Sequence, residues 1–293
     1  MDDVCEERIS SRRWDRLSTP TTSLPVSSAV RARRAPISPS PTTRTLIRRH
    51  FGAWPEYPVV VETRVILSAH QPAYLPWLGY FKKIAMSDVF CVLDNVQFKK
   101  FDYINRNRIR DGDGATWLSV PVHRKGHSMD RISEMQIVQD GWQKTHLKKI
   151  RLVYSKSTYF DRYFGSLEDI LLKRHSGLSE LTADLLSYLL EALSLKANVV
   201  RASDYSVPGK KNEYLINLCR EFGASTYVFG SLGRGYADER LFAEAEITIR
   251  FLDYRHPVYR QQREPFLPNL SIIDLLFNEG PNSLEILTNT DDE

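Results

Sequence analysis

The chain has 293 residues, 42% of them hydrophobic and 26% charged, enough for one large domain or two modest ones. Its formal charge of +4 resides in residues 1–64, which hold 11 Arg, no Lys and 7 acids and leave 29 basic against 29 acidic side chains elsewhere. A neutral body argues against a general nucleic-acid scaffold, whose affinity rests on an excess of phosphate-binding charge, and leaves room for local basic patches.

Residues 1–64 also carry 7 of the 15 prolines, set among Ser/Thr tracts with little sustained periodicity. That composition reads as a disordered tail. The Arg-only basic content matches translated upstream DNA, so the body is expected to start near Val59–Val65. The competing reading, an Arg/Ser-rich transit peptide, is weakened by Asp2, Asp3, Glu6 and Glu7. No window reaches the ~18 apolar residues of a membrane span. The expectation is a cytoplasmic protein, with room for peripheral contact with inner-membrane machinery. Cys5, Cys91 and Cys219 lie too far apart for a disulfide framework or a zinc set, and read as reduced thiols.

From Val65 onward the pattern is α/β. Strands are expected at 65–69, 89–93, 116–120, 132–138, 198–202, 226–229 and 247–252. Helices are expected at 79–86, 142–153, 160–173, 178–195, 212–222, 238–243 and 272–278. Strand and helix alternate from Asn198 to Leu252, which implies parallel pairing. The expected fold is a mostly parallel, Rossmann-like sheet flanked by helices, with residues 142–195 as an inserted helical layer. The body is expected to end at 285, with 286–293 a disordered end. Ser271, three residues before Asp274, has capping-box character, and Gly280 closes the helix that it starts.

Three segments carry candidate chemistry. The first strand runs directly into His70-Gln71-Pro72, then Tyr74 and Trp77. A histidine just past a strand end can present its ring to a ligand phosphate or amine, and Gln71 offers both a donor and an acceptor. The second segment starts with Asp94 at the end of the next strand and continues through Gln97 to Asn105 and Arg106. Amide and guanidinium donors there suit a phosphate or a sugar. In the third, Gly230, Ser231, Gly233, Arg234, Gly235 and Tyr236 lie between a strand and a helix, where backbone N–H groups can approach an anion. No known phosphate fingerprint is matched there. His123, His127 and His146 do not compose a metal set, so no metal is expected, and no cofactor is assigned.

Taken in order, His70-Gln71-Pro72, Tyr74, Pro76-Trp77, Gly79-Tyr80-Phe81, Ser87-Asp88, Asp94, Val96-Gln97-Phe98 and Asn105-Arg106-Asn107 resemble the WbqC-like family. Trp117-Leu118, Val120-Pro121-Val122, Gly230-Ser231, Tyr236, Asp238 and Leu270–Leu276 continue the resemblance, which covers about 65–280. Leu232 departs from the small residue expected in the glycine turn. The resemblance implies a role in bacterial O-antigen or other surface-polysaccharide assembly. The reading drawn from it is a transferase placing an aminoacyl group, such as glycine, on a nucleotide-linked amino sugar. In that reading His70, with Gln71 and Asp94, forms the catalytic set. Tyr74, Trp77, Gln97, Asn105, Arg106, Gly230, Ser231, Arg234 and Tyr236 then bind substrate. The alternative is a non-catalytic scaffold for polysaccharide-assembly enzymes.

Overall fold

The computed structural model describes residues 64–124, 126 and 130–289. The tail expected over 1–64 therefore lies, but for Arg64, outside the described residues, as do Cys5 and His127.

Five parallel strands form the central sheet: β1 (Val65–His70), β2 (Val89–Val92), β5 (Val199–Arg201), β6 (Ala224–Phe229) and β7 (Thr248–Phe251). Their spatial order is β5-β2-β1-β6-β7, so β1 lies at the centre. The expected α/β fold with a parallel sheet is what the chain forms. A separate antiparallel hairpin, β3 (Arg106–Asp111) and β4 (Gly114–Ser119), projects from the β2-to-β5 connection.

Alternation along each strand distributes the side chains between two cores. Phe90 and Val92 of β2 join α1 (Leu78–Ala85), α2 (Trp142–Tyr154), α3 (Phe160–Leu172), α4 (Leu178–Ala192) and α7 (Ile272–Glu279) in the larger one. Val89 and Cys91 face the other way, with Leu67 and Ala69 of β1. There they meet α5 (Lys211–Glu221) and α6 (Glu239–Glu244). The inserted layer over 142–195 is thus α2–α4, spliced between β2 and β5. Burial pushes the thiols of Cys91 and Cys219 up to about 12, which leaves both as small apolar groups.

Several expectations fail for identifiable reasons. Residues 132–138 are not a strand. Ile132–Glu134 is a single 3-10 turn, closed by Arg131 N–H donating to the Glu134 carboxylate, and only isolated bridges follow. The strand at Arg106–Asp111 was hidden because five of its six residues are polar, Asn107 and Arg110 buried among them, and its partner is the other arm of a local hairpin. The chain remains helical past 285, in α8 (Ser283–Thr288), where Leu287 is fully buried. The Ser271 capping box is only half formed. The Ser271 hydroxyl accepts from Ile273 N, but Asp274 turns inward instead of back to the cap.

Asp274 anchors a buried polar network beneath α7. Its carboxylate accepts from the hydroxyls of Tyr154 and Tyr259, both at 2.8 Å, and from the Gln261 amide at 2.9 Å. Arg110 stands behind them, donating to Gln261 Oε1 at 2.7 Å. Burial pushes the Asp274 carboxyl above the usual carboxylate range, against the pull of those three hydrogen bonds and of Arg110. Gly280 ends α7 at φ +53°, and an added Cβ there would lie within 2.4 Å of the Tyr159 ring. Only glycine fits that turn.

Candidate functional site

Strand order decides where a ligand belongs. The connection leaving β1 runs towards β2, whereas the one leaving β6 runs towards β7. Adjacent parallel strands whose connections diverge leave room outside their carboxyl ends, and open α/β sheets bind ligands there. Ser68 pairs with Val228, so the register brings His70 and Gly230 to the same sheet edge. Two of the three predicted segments therefore converge on one place.

His70 is partly buried there. Its ring packs edge-on against Trp77 at 5.4 Å and Tyr80 at 5.1 Å. Its Nδ1 lies 2.9 Å from the Gln71 carbonyl oxygen, which can only accept, so Nδ1 carries the proton and Nε2 the lone pair. Burial, reinforced by the charge of Lys83, lowers the ring pKa to about 4. Lys83 is itself buried under the end of β1, donating to Ala69 O at 2.8 Å, and burial pulls its amine down to about 7. The site thus holds a neutral imidazole above a lysine that loses its proton near neutrality.

Around His70 the aromatic rings are continuous. Trp77 meets Tyr103 at 5.3 Å, and Tyr103 meets Trp117 at 5.6 Å on the hairpin. Arg106 lies over the Trp117 ring at 4.2 Å and donates to the Phe101 carbonyl. Its Nε is buried without a partner among the described residues. Gly79 permits this packing, since an added Cβ would meet Trp77 Nε1 and the Tyr254 ring at 3.1 Å.

Other predicted residues lie elsewhere. Asp94 does not orient His70: it is fully buried, and Ser203 N and Oγ (2.9 and 2.8 Å) and Ser179 Oγ (3.2 Å) occupy its carboxylate. A carboxylate at the end of β2 instead ties the 3-10 turn after β5 and the start of α4 to the sheet. Tyr74 belongs to the core, its hydroxyl 2.8 Å from His146 Nδ1. Gln97 is exposed and pairs through its backbone with Arg131. Asn105 spends its amide on Val120 O at 2.7 Å, closing the base of the hairpin.

The glycine turn is a 3-10 helix, Ser231–Gly235, and none of Gly230, Gly233 and Gly235 has positive φ. Gly233 N–H donates to Gly230 O and Tyr236 N–H to Gly233 O, so these donors are spent within the turn. Gly233 is glycine because a Cβ would meet Phe229 at 2.5 Å. Ser231 is exposed, Tyr236 packs on Phe229 at 5.7 Å, and Arg234 pairs with Asp253 at 2.7 Å over the Phe251 ring.

Two residues after β7 escaped the sequence reading. His256 repeats the arrangement of His70, its Nδ1 at 2.8 Å from the Pro257 carbonyl, and burial lowers its pKa. Its Nε2 and the Tyr254 hydroxyl are buried without partners among the described residues. Tyr254 packs against Gly79 and within 6.0 Å of His256. The available signal was a Tyr-x-His placed directly after a strand end.

Acid stability follows from two of these histidines. His70 and His146 are each neutral in the fold, with pKa near 4 against 6.5 for the free side chain. Between those values the unfolded chain binds more protons, so stability falls as pH drops from 6.5 towards 4, by at most about 3 kcal/mol per histidine. Urea unfolding at pH 7.0 and 4.5 measures the loss. His146→Gln should flatten the profile, and profiles that stay parallel to wild type would refute the assignment.

The family model described as the WbqC-like protein family matches residues 71–286. A curated relative, "Uncharacterized protein Rv1507c" of Mycobacterium tuberculosis strain H37Rv, is 37% identical over 219 residues. That alignment covers 74% of this chain and 95% of the relative. No solved structure matches. Among the described residues no helix is long and apolar enough to cross a membrane. With the matched region spanning four of the five sheet strands, the hairpin and the inserted layer, the chain belongs to the WbqC-like protein family.

Proposed function

We propose that this chain is a transferase of bacterial surface-polysaccharide assembly that attaches an aminoacyl group, glycine in the leading case, to a nucleotide-linked amino sugar. The observation carrying this reading is the neutral His70 at the divergence of β1 and β6, with Nδ1 held by Gln71 O and Nε2 left for a ligand. Attack of a sugar amine on an activated carbonyl forms the C–N bond, releases the acyl carrier and frees one proton from nitrogen. A lone pair on Nε2 is placed to take that proton. A diphosphate bound beside the ring would raise its basicity by countering the Lys83 charge. The aromatic run Trp77–Tyr103–Trp117 supplies flat apolar faces for a sugar or base, and Arg106 a charged donor.

The test is the chemistry of the polysaccharide made by a deletion strain, with and without the complementing gene. Mass spectrometry and NMR should show one aminoacyl substituent missing from an otherwise intact repeat. Loss of the whole polymer would overturn the reading, because the protein would then act in precursor synthesis or assembly.

A further inference from the structure

A second concave surface lies where α2 ends and the segment after β7 passes it. It encloses about 900 Å³, within the range of small-molecule sites. Five cations line it: Lys148, Arg151 and Lys156 from α2 and the turn after it, and Arg260, Arg263 from the later segment. No carboxylate lines it among the described residues. Only Arg151 of the five has an ion-pair partner there, Glu168 at 3.1 Å. Five like charges gathered in one concavity repel one another, a cost that a bound anion removes.

The polar side chains of the floor hold one another: Ser157 Oγ donates to Asn278 Oδ1, Asn278 Nδ2 to Asp274 O and Gln261 Nε2 to Asp274 Oδ2. Ser157, Gln261 and Asn278 line the groove, and Gln261 links to the buried Arg110, whose Nη2 has no partner among the described residues. A sixth cation thus stands behind the wall. Three of the five lining cations, Arg151, Arg260 and Arg263, are guanidinium forks, which bind phosphate oxygens in pairs. The concavity favours a discrete ligand over a flat membrane surface.

We infer that this groove binds a small ligand bearing two or more phosphate groups, at a site separate from His70. The inference stands independently of the transfer reaction proposed above. The probe is inorganic tripolyphosphate, titrated calorimetrically into the full chain at low salt and again at 300 mM. Saturable binding that weakens with salt is expected, since the cations are exposed and screened.

The paired change Lys156→Glu with Arg263→Glu should weaken binding about tenfold or more. The milder pair Lys148→Gln with Arg260→Gln guards against misfolding of the first, and Lys196→Glu, on an exposed lysine outside the groove, should leave affinity unchanged. Failure of tripolyphosphate to bind, or equal affinity in folded groove variants, overturns the inference. So does binding only to phosphatidylglycerol vesicles or only to single-stranded RNA, which would reassign the surface to a membrane or to nucleic acid.

Discussion

Asp274→Ala is expected to lower stability by about 3–5 kcal/mol, a melting-temperature drop on the order of 10 °C. The carboxylate is fully buried and serves three donors at once: Tyr154, Tyr259 and Gln261. Alanine removes the acceptor for all three and leaves the Arg110 charge without its neighbour. Every orphaned donor then bears its own desolvation cost. Asp274→Asn retains one acceptor oxygen but turns an amide N–H₂ towards other donors, so about half the loss should remain. Thermal and urea unfolding of both variants at pH 7 measure this. An alanine variant that melts with wild type would show that the network is dispensable.

For His70→Ala the expected outcome is a loss of transfer activity of about 10²- to 10⁴-fold, the usual contribution of a positioned proton acceptor. The ring packs on Trp77 and Tyr80 at the edge of the core, so some stability is lost as well, and melting must be measured alongside. His70→Gln separates the effects: it keeps a polar side chain of similar reach but cannot accept a proton at neutral pH. The pH profile gives an independent reading. With a free-enzyme pKa of about 4, the imidazole stays neutral down to that value, so the acid limb of kcat/KM should fall near pH 4 and not near 6.5. Aminoacyl content in a deletion strain complemented by each variant is the accompanying measurement in cells. Full complementation by His70→Ala would eliminate its role as the base.

What the sequence revealed and concealed divides along physical lines. The apolar run ending at His70 announced a buried strand, and its Pro-rich continuation announced a loop. Both are where expected, and parallel pairing followed from alternation alone. The side chain that a polar residue meets is a tertiary fact that no spacing reveals. Asp94 stands at a strand end as expected, yet Ser179 and Ser203, 85 and 109 residues away, claim its oxygens. Tyr74 sits four residues from His70, and the turn between them sends it into the core. The glycines at 230–235 suggested an anion cradle, but Gly233 serves the Phe229 ring beneath it. Lys83 falls within the helix expected over 79–86, and only the packing shows its amine under the strand end.

The position of β1 has a consequence for how the chain is made. Its central strand must pair on one side with β6, and Leu67 meets a residue roughly 160 positions later, at Tyr227. At a synthesis rate of about 5–20 residues per second, β1 waits on the order of 10–30 s for that neighbour. Throughout that interval a strongly apolar strand edge is open to any other nascent chain. Such long-range closure makes for slow assembly, and newborn copies of this protein should depend on holding chaperones more than a helical bundle of equal length does.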